Sequence, residues 1–169
     1  AATENALGME LPPPPRMFFM TGTRALTFKF SLGVELRGRL CLRLVDLPQH
    51  AKDSQEWAEE TWIADDQKEK RIWRNAFAFA RLENGDFLGL DLLRGKSDPK
   101  VVYLNHEEES MAISPSFSSF LDVWEQIGYV GPDIGDLEPF LNDSGYLAAS
   151  AHAQDDLNGP GGSSEFKRP

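Results

Sequence analysis

The sequence predicts an α+β fold: an antiparallel sheet of about four to six strands with helices packed mainly on one face. Three observations carry this. Between Trp73 and Asn105, three strand-like segments follow one another through short turns, which implies an antiparallel meander. Further on, Phe117, Phe120, Leu121, Trp124 and Ile127 recur at helical spacing and give one apolar face to lay on that sheet. The 41% hydrophobic and 11% aromatic content is enough to build the core between them. With 169 residues, the chain fits a single domain, expected over residues 1–157, followed by a Gly/Ser/Pro-rich flexible tail at 158–169.

In chain order, Leu11-Pro12-Pro13-Pro14-Pro15 comes before Arg16-Met17-Phe18-Phe19-Met20. Four prolines are incompatible with a helix interior, so an extended stretch ahead of an apolar anchor is expected. Thr27 to Phe30 alternates and breaks near Gly33. Leu36, Leu40, Leu42 and Leu44 then share one face of a second strand, with Arg37, Arg39 and Arg43 on the other. Gln49 to Lys70 is polar, with Trp57 and Trp62 as anchors; its first part should be helical, and Asp65-Asp66 should form a loop.

The hairpin is expected from Trp73 to Asp91. Phe77 and Phe79 alternate with Ala76, Ala78 and Ala80, and Glu83-Asn84-Gly85-Asp86 favours a tight type I′ turn. Phe87 to Leu92 returns, and Lys100 to Asn105 makes the next strand. Ser114 is the expected N-cap of the long helix, with Pro115 in its first turn and Gly128 closing it.

Charge narrows the function classes. The net charge is −10, and from Val101 to Phe166 there is no Lys or Arg among twelve acidic residues. Such a half repels phosphates, so nucleic acid is not an expected ligand, whereas a basic protein partner is favoured. No apolar run approaches the roughly 18 residues that span a bilayer, and the first residues lack a secretory pattern, so a cytoplasmic protein without membrane contact is expected. The single cysteine, Cys41, excludes an intrachain disulfide and a thiolate-rich metal site, and reads as a small strand residue.

Catalytic patterns are weak. The sequence contains no G-x-S-x-G elbow, phosphate loop or dinucleotide fingerprint. His106-Glu107-Glu108-Glu109 lacks the second histidine of a zinc-protease helix, so His106 and Glu107 are expected to end a strand and satisfy the following turn. Asp65-Asp66 lacks the further oxygen ligands of a calcium loop. Asp91, in an apolar strand, could act as a general base but is read as bonding a nearby loop. His50 is read in a polar loop and His152 near the flexible tail. No metal, cofactor or catalytic residue is therefore expected.

Several of these segments, taken together and in order, resemble the SUKH family (the SMI1/KNR4 group). They are Phe77-Ala78-Phe79-Ala80, Glu83-Asn84-Gly85-Asp86, Leu88-Gly89-Leu90-Asp91-Leu92, Val101-Val102-Tyr103-Leu104-Asn105-His106-Glu107 and Ser116-Phe117-Ser118-Ser119-Phe120-Leu121, with Leu7-Gly8-Met9-Glu10-Leu11-Pro12 similar to the family's entry motif. Little of the family's first helix precedes Leu7. The resemblance implies a non-enzymatic protein-binding domain. Bacterial members are largely immunity proteins against polymorphic toxins, many of them nucleases or deaminases, and fungal members are regulatory scaffolds in cell-wall synthesis and signalling. An uncatalogued hydrolase is the remaining alternative. On the immunity reading, Glu107, Glu108 and Glu109 are the first candidates to contact a basic toxin domain, and Asp65 and Asp66 the next.

Overall fold

A computed structural model describes residues 2–21, 26–32, 35–60, 62–93 and 97–149; the side chains of 2, 3, 21–41, 60 and 64 lie outside that description. Leu36, Arg37, Arg39, Leu40 and Cys41 therefore carry expectations about facing that stand outside the described side chains, as does the tail at 158–169.

The chain opens with two short helices, α1 (Ala2–Leu7) and α2 (Pro13–Thr21). The second corrects the sequence reading. The proline run does not stay extended: Pro13, Pro14 and Pro15 form the first turn of α2. First-turn amides have no intrahelical partner, so nothing is lost where proline lacks one. The first amide beyond them, on Arg16, donates to the Pro12 carbonyl at 2.9 Å. Glu4 of α1 pairs with Arg16 at 3.0 Å and ties the two helices together.

A two-stranded ribbon follows, β1 (Leu26–Leu32) against β2 (Glu35–Leu42), with a register shift after Phe30. The second strand ends two residues earlier than expected, because Leu44–Asp46 turn into a 3-10 segment where Arg43 pairs with Asp46. Helix α3 (Leu47–Glu60) and helix α4 (Gln67–Asn75) come next. His50 thus lies in α3 and not in a loop, and Trp73 belongs to α4 and not to the hairpin.

The main sheet has the order β3-β4-β5-β6, with β3 Ala76–Arg81, β4 Phe87–Asp91, β5 Val101–Leu104 and β6 Met111–Ser114. All neighbours are antiparallel, as the short turns imply. The β3–β4 turn is not type I′. Gly85 alone has positive φ, at 101°; its amide bonds the Leu82 carbonyl, and the Leu82 amide bonds the Asp86 carbonyl. That is a three-residue loop ending in a glycine bulge, which needs one left-handed position instead of two.

Alternation along these strands feeds two cores, not a core and a wet face. Phe77, Phe79, Leu88, Leu90, Val101, Tyr103 and Ile113 join the larger cluster with Phe19 of α2, Leu47 of α3 and the residues of a later helix. Ala76, Ala78, Phe87, Val102 and Leu104 face the smaller one, completed by Ala58, Ile63 and Trp73. The opposing side chains explain the difference. Phenylalanines on one face hold the larger core, whereas alanines on the other let α3 and α4 come close.

The long helix is α5 (Phe117–Gln126). Its N-cap is Ser116, whose Oγ accepts from Ser119 N at 3.0 Å; the expected cap, Ser114, is the last residue of β6. Asp98, from the β4–β5 connection, also accepts from the amides of Phe117 and Ser118 at 2.9 and 3.2 Å. As expected, Gly128 ends the helix, at φ 75°. Phe117, Phe120 and Trp124 are fully buried on the sheet, and the Phe79 ring meets Phe117 edge-on at 5.6 Å. A short helix α6 (Ile134–Leu137) follows, and Leu147 donates its amide to Ile113 of β6 at 2.9 Å. Among the described residues no helix is long and apolar enough to cross a membrane.

Candidate functional site

The segment Asn105–Ser110 leaves β5 and turns back into β6. Asn105 organises it, its Oδ1 accepting from the amides of Glu107 at 2.9 Å and Glu108 at 3.0 Å. The sequence points to His106 and Glu107 for that role, but a strand-ending asparagine is better placed, since its short side chain reaches the amides two and three residues on. Glu107, Glu108 and Glu109 are left exposed, with side chains 80% accessible at Glu107 and 76% at Glu109.

Four contacts bind this loop to α4 and to the turn that precedes it. Trp62 Nε1 donates to the His106 carbonyl at 2.6 Å, and Lys68 pairs with Glu109 at 2.6 Å. Deeper in, the Ser110 amide donates to Glu69 at 3.1 Å, and Trp73 Nε1 donates to Ser110 Oγ at 3.0 Å. The inner pair does most of the holding, because an exposed ion pair such as Lys68–Glu109 contributes only about 0–1 kcal/mol. Asp65 and Asp66 sit in the turn just ahead of α4. The fold therefore brings together the two acidic segments that the sequence proposed separately. Within them, Asp66 already serves the fold as N-cap of α4, accepting from the amides of Lys68 and Glu69 at 2.8 and 3.0 Å. Asp65 is exposed.

Beneath the loop lies a polar cluster that the sequence reading missed. Asp86, only 3% exposed, accepts from Tyr103 Oη at 2.5 Å, from Asn84 Nδ2 at 2.7 Å and from the His106 amide at 2.9 Å, and its Oδ1 stands 2.7 Å from His106 Nδ1. Asn84 reaches on to Asp133 of the α6 cap at 2.7 Å. Burial, and next the bond to Asp86, push the Tyr103 phenol above its usual range. The faint sequence signal was a charged residue immediately after a glycine turn, where an apolar strand was beginning. Asp91 has a local role, Oδ1 accepting from the Leu93 amide at 3.0 Å.

As chemistry, this cluster is a saturated hydrogen-bond network: every polar group named has its partner inside the protein. Among the described residues no group of three or more His, Cys, Asp or Glu side chains is arranged to hold a metal ion. What faces outward is negative charge around a partly exposed Trp62, on a loop fixed from below.

No curated protein and no solved structure matches the chain significantly. The family model for SMI1 / KNR4 (SUKH-1) matches residues 1–123, the stretch that runs from α1 into α5 and includes the acidic loop. The chain belongs to the SMI1/KNR4 family (SUKH-1).

Proposed function

We propose that this domain is a non-catalytic protein-binding module that acts in the cytoplasm as an immunity protein, capturing a basic toxin domain of nuclease or deaminase type. The contact surface is Glu107, Glu108 and Glu109, with Asp65 and Asp66 beside them. One observation carries the reading: two acidic segments about 41 residues apart are held side by side by Lys68–Glu109 and by Trp62 on the His106 carbonyl. Carboxylates in a fixed array can occupy the groove where a nuclease holds phosphates, and complementary charge speeds the encounter. A regulatory-scaffold role would use the same surface on a different basic partner.

The test begins with a partner captured from native lysate at low salt and then purified. Glu107→Lys, Glu108→Lys and Glu109→Lys combined should slow association about tenfold or more, and should flatten its salt dependence. Unchanged association would remove this surface from the reading. A captured partner that is a basic toxin supports immunity; a signalling or envelope-synthesis protein supports the scaffold.

A further inference from the structure

The smaller core is incompletely filled. Between the C-terminal half of α4 and the sheet lies a cavity of about 200 Å³, walled by Ile72, Ala76, Val102 and Ala112. It exists because this sheet face carries small residues and α4 stops at Asn75. Its size decides what fits. Drug-sized ligands use pockets of roughly 300–1,000 Å³, whereas a cavity of about 150 Å³ already accepts benzene. One large apolar side chain is the matching occupant.

Three charged side chains also line the cavity, Arg71, Lys100 and Asp91. Lys100 is held by Tyr146 Oη at 3.1 Å, and Asp91 caps its own turn. Among the described residues no carboxylate pairs with Arg71. Position adds to this: Ser110 lines the cavity and directly follows Glu109, so the mouth adjoins the acidic loop.

We infer that this cavity is an anchor pocket for a partner segment in which a large apolar side chain, such as Phe or Leu, stands next to a carboxylate that pairs with Arg71. The inference rests on the protein-binding reading above for the kind of occupant. An apolar anchor in a pocket beside a charged surface is how interfaces concentrate their affinity. The opposite charges of the loop and of Arg71 would also fix the partner's orientation.

The test uses two capped peptides, acetyl-Gly-Phe-Glu-Gly-amide and acetyl-Gly-Phe-Lys-Gly-amide, titrated into the full chain with methyl NMR detection. The Phe-Glu peptide should shift the methyls of Ala76, Val102 and Ala112. It should bind about two- to fivefold tighter than the Phe-Lys peptide, the range an exposed ion pair supports. Arg71→Glu, an exposed change that leaves the fold intact, should reverse that preference, and Ala112→Leu should abolish both responses by filling the cavity. Stationary methyls with the Phe-Glu peptide, or a preference that survives Arg71→Glu, would overturn the pocket. Charge reversal at Glu107–Glu109 should leave the Phe-Glu peptide on the same methyls of Ala76, Val102 and Ala112, so failure of the acidic surface and failure of the pocket are read separately.

Discussion

Replacing Asp86 tests whether the buried polar cluster holds the acidic loop in place. The carboxylate accepts from Tyr103 and Asn84 on one oxygen and from the His106 backbone and ring on the other. Asp86→Asn keeps the volume, so no cavity term enters. If the amide oxygen faces His106, its NH2 meets the Tyr103 hydroxyl, which can rotate to accept, and the Asn84 amide, which cannot. Asn84 retains Asp133, so the net loss is the acceptor of the Tyr103 hydroxyl proton, and the remaining bonds lose their charge assistance. At about 1.5–3 kcal/mol for a bond to a charged group, the net cost should be about 2 kcal/mol. Asp86→Ala removes every acceptor and strands buried donors, which should cost about 3–5 kcal/mol. That is a large share of the roughly 5–15 kcal/mol total of a typical domain.

Urea unfolding at neutral pH measures both variants. An Asp86→Ala protein within about 1 kcal/mol of the parent would refute the reasoning. A second readout comes from Tyr103. Its folded-state phenol titrates above the ordinary value of about 10, so the native state keeps a proton that the unfolded chain loses, and stability falls as pH rises past about 10. Asp86→Asn removes the carboxylate's share of that shift and leaves the larger share due to burial. The alkaline decline should therefore weaken without vanishing, as followed by phenolate absorbance alongside unfolding.

Three further outcomes are expected. Trp73→Phe loses the buried bond to Ser110 and part of a ring that is fully enclosed, and should cost about 2–3 kcal/mol by denaturant unfolding while loosening the Glu107–Glu109 loop in amide exchange. Gly85→Ala forces φ near 101° on a residue with a Cβ that would stand 3.3 Å from the His106 ring, so about 1–3 kcal/mol of destabilisation is expected from thermal or urea melts. Burial, the largest influence, lowers the pKa of His50, so the unfolded chain takes up its proton first and stability falls as pH drops below about 6.5; His50→Gln should flatten that acid limb between about pH 5 and 7, and an unchanged limb would assign it to other groups.

Much of the fold follows from local pattern. Period-two alternation at Ala76–Ala80 and Phe87–Asp91 marked two strands, and the 3.6-residue spacing of Phe117, Phe120 and Trp124 marked α5, because each pattern reports a face that must be buried. Local signals failed where neighbours in space changed the demand. Pro13–Pro15 entered a helix because only first-turn positions were involved. Ser114 lost its capping role to Ser116 because β6 pairs with β5 through it. Met111–Ser114, too short and too irregular to stand out in the sequence, is a strand because β5 offers it a ladder.

The site divides in the same way. Composition alone identified an acidic half without a single Lys or Arg between Val101 and Phe166, and the family resemblance then singled out Glu107–Glu109 within it, and Asp65–Asp66 outside it, as candidate contacts. Those properties belong to the residues themselves. Only the tertiary structure made the two segments neighbours, buried Asp86 under His106 and Tyr103, and left a cavity beside Ala112. Each of these depends on groups 17 to 44 residues apart meeting across packed elements, and side-chain type and spacing along a chain hold no record of such meetings until the sheet and helices close.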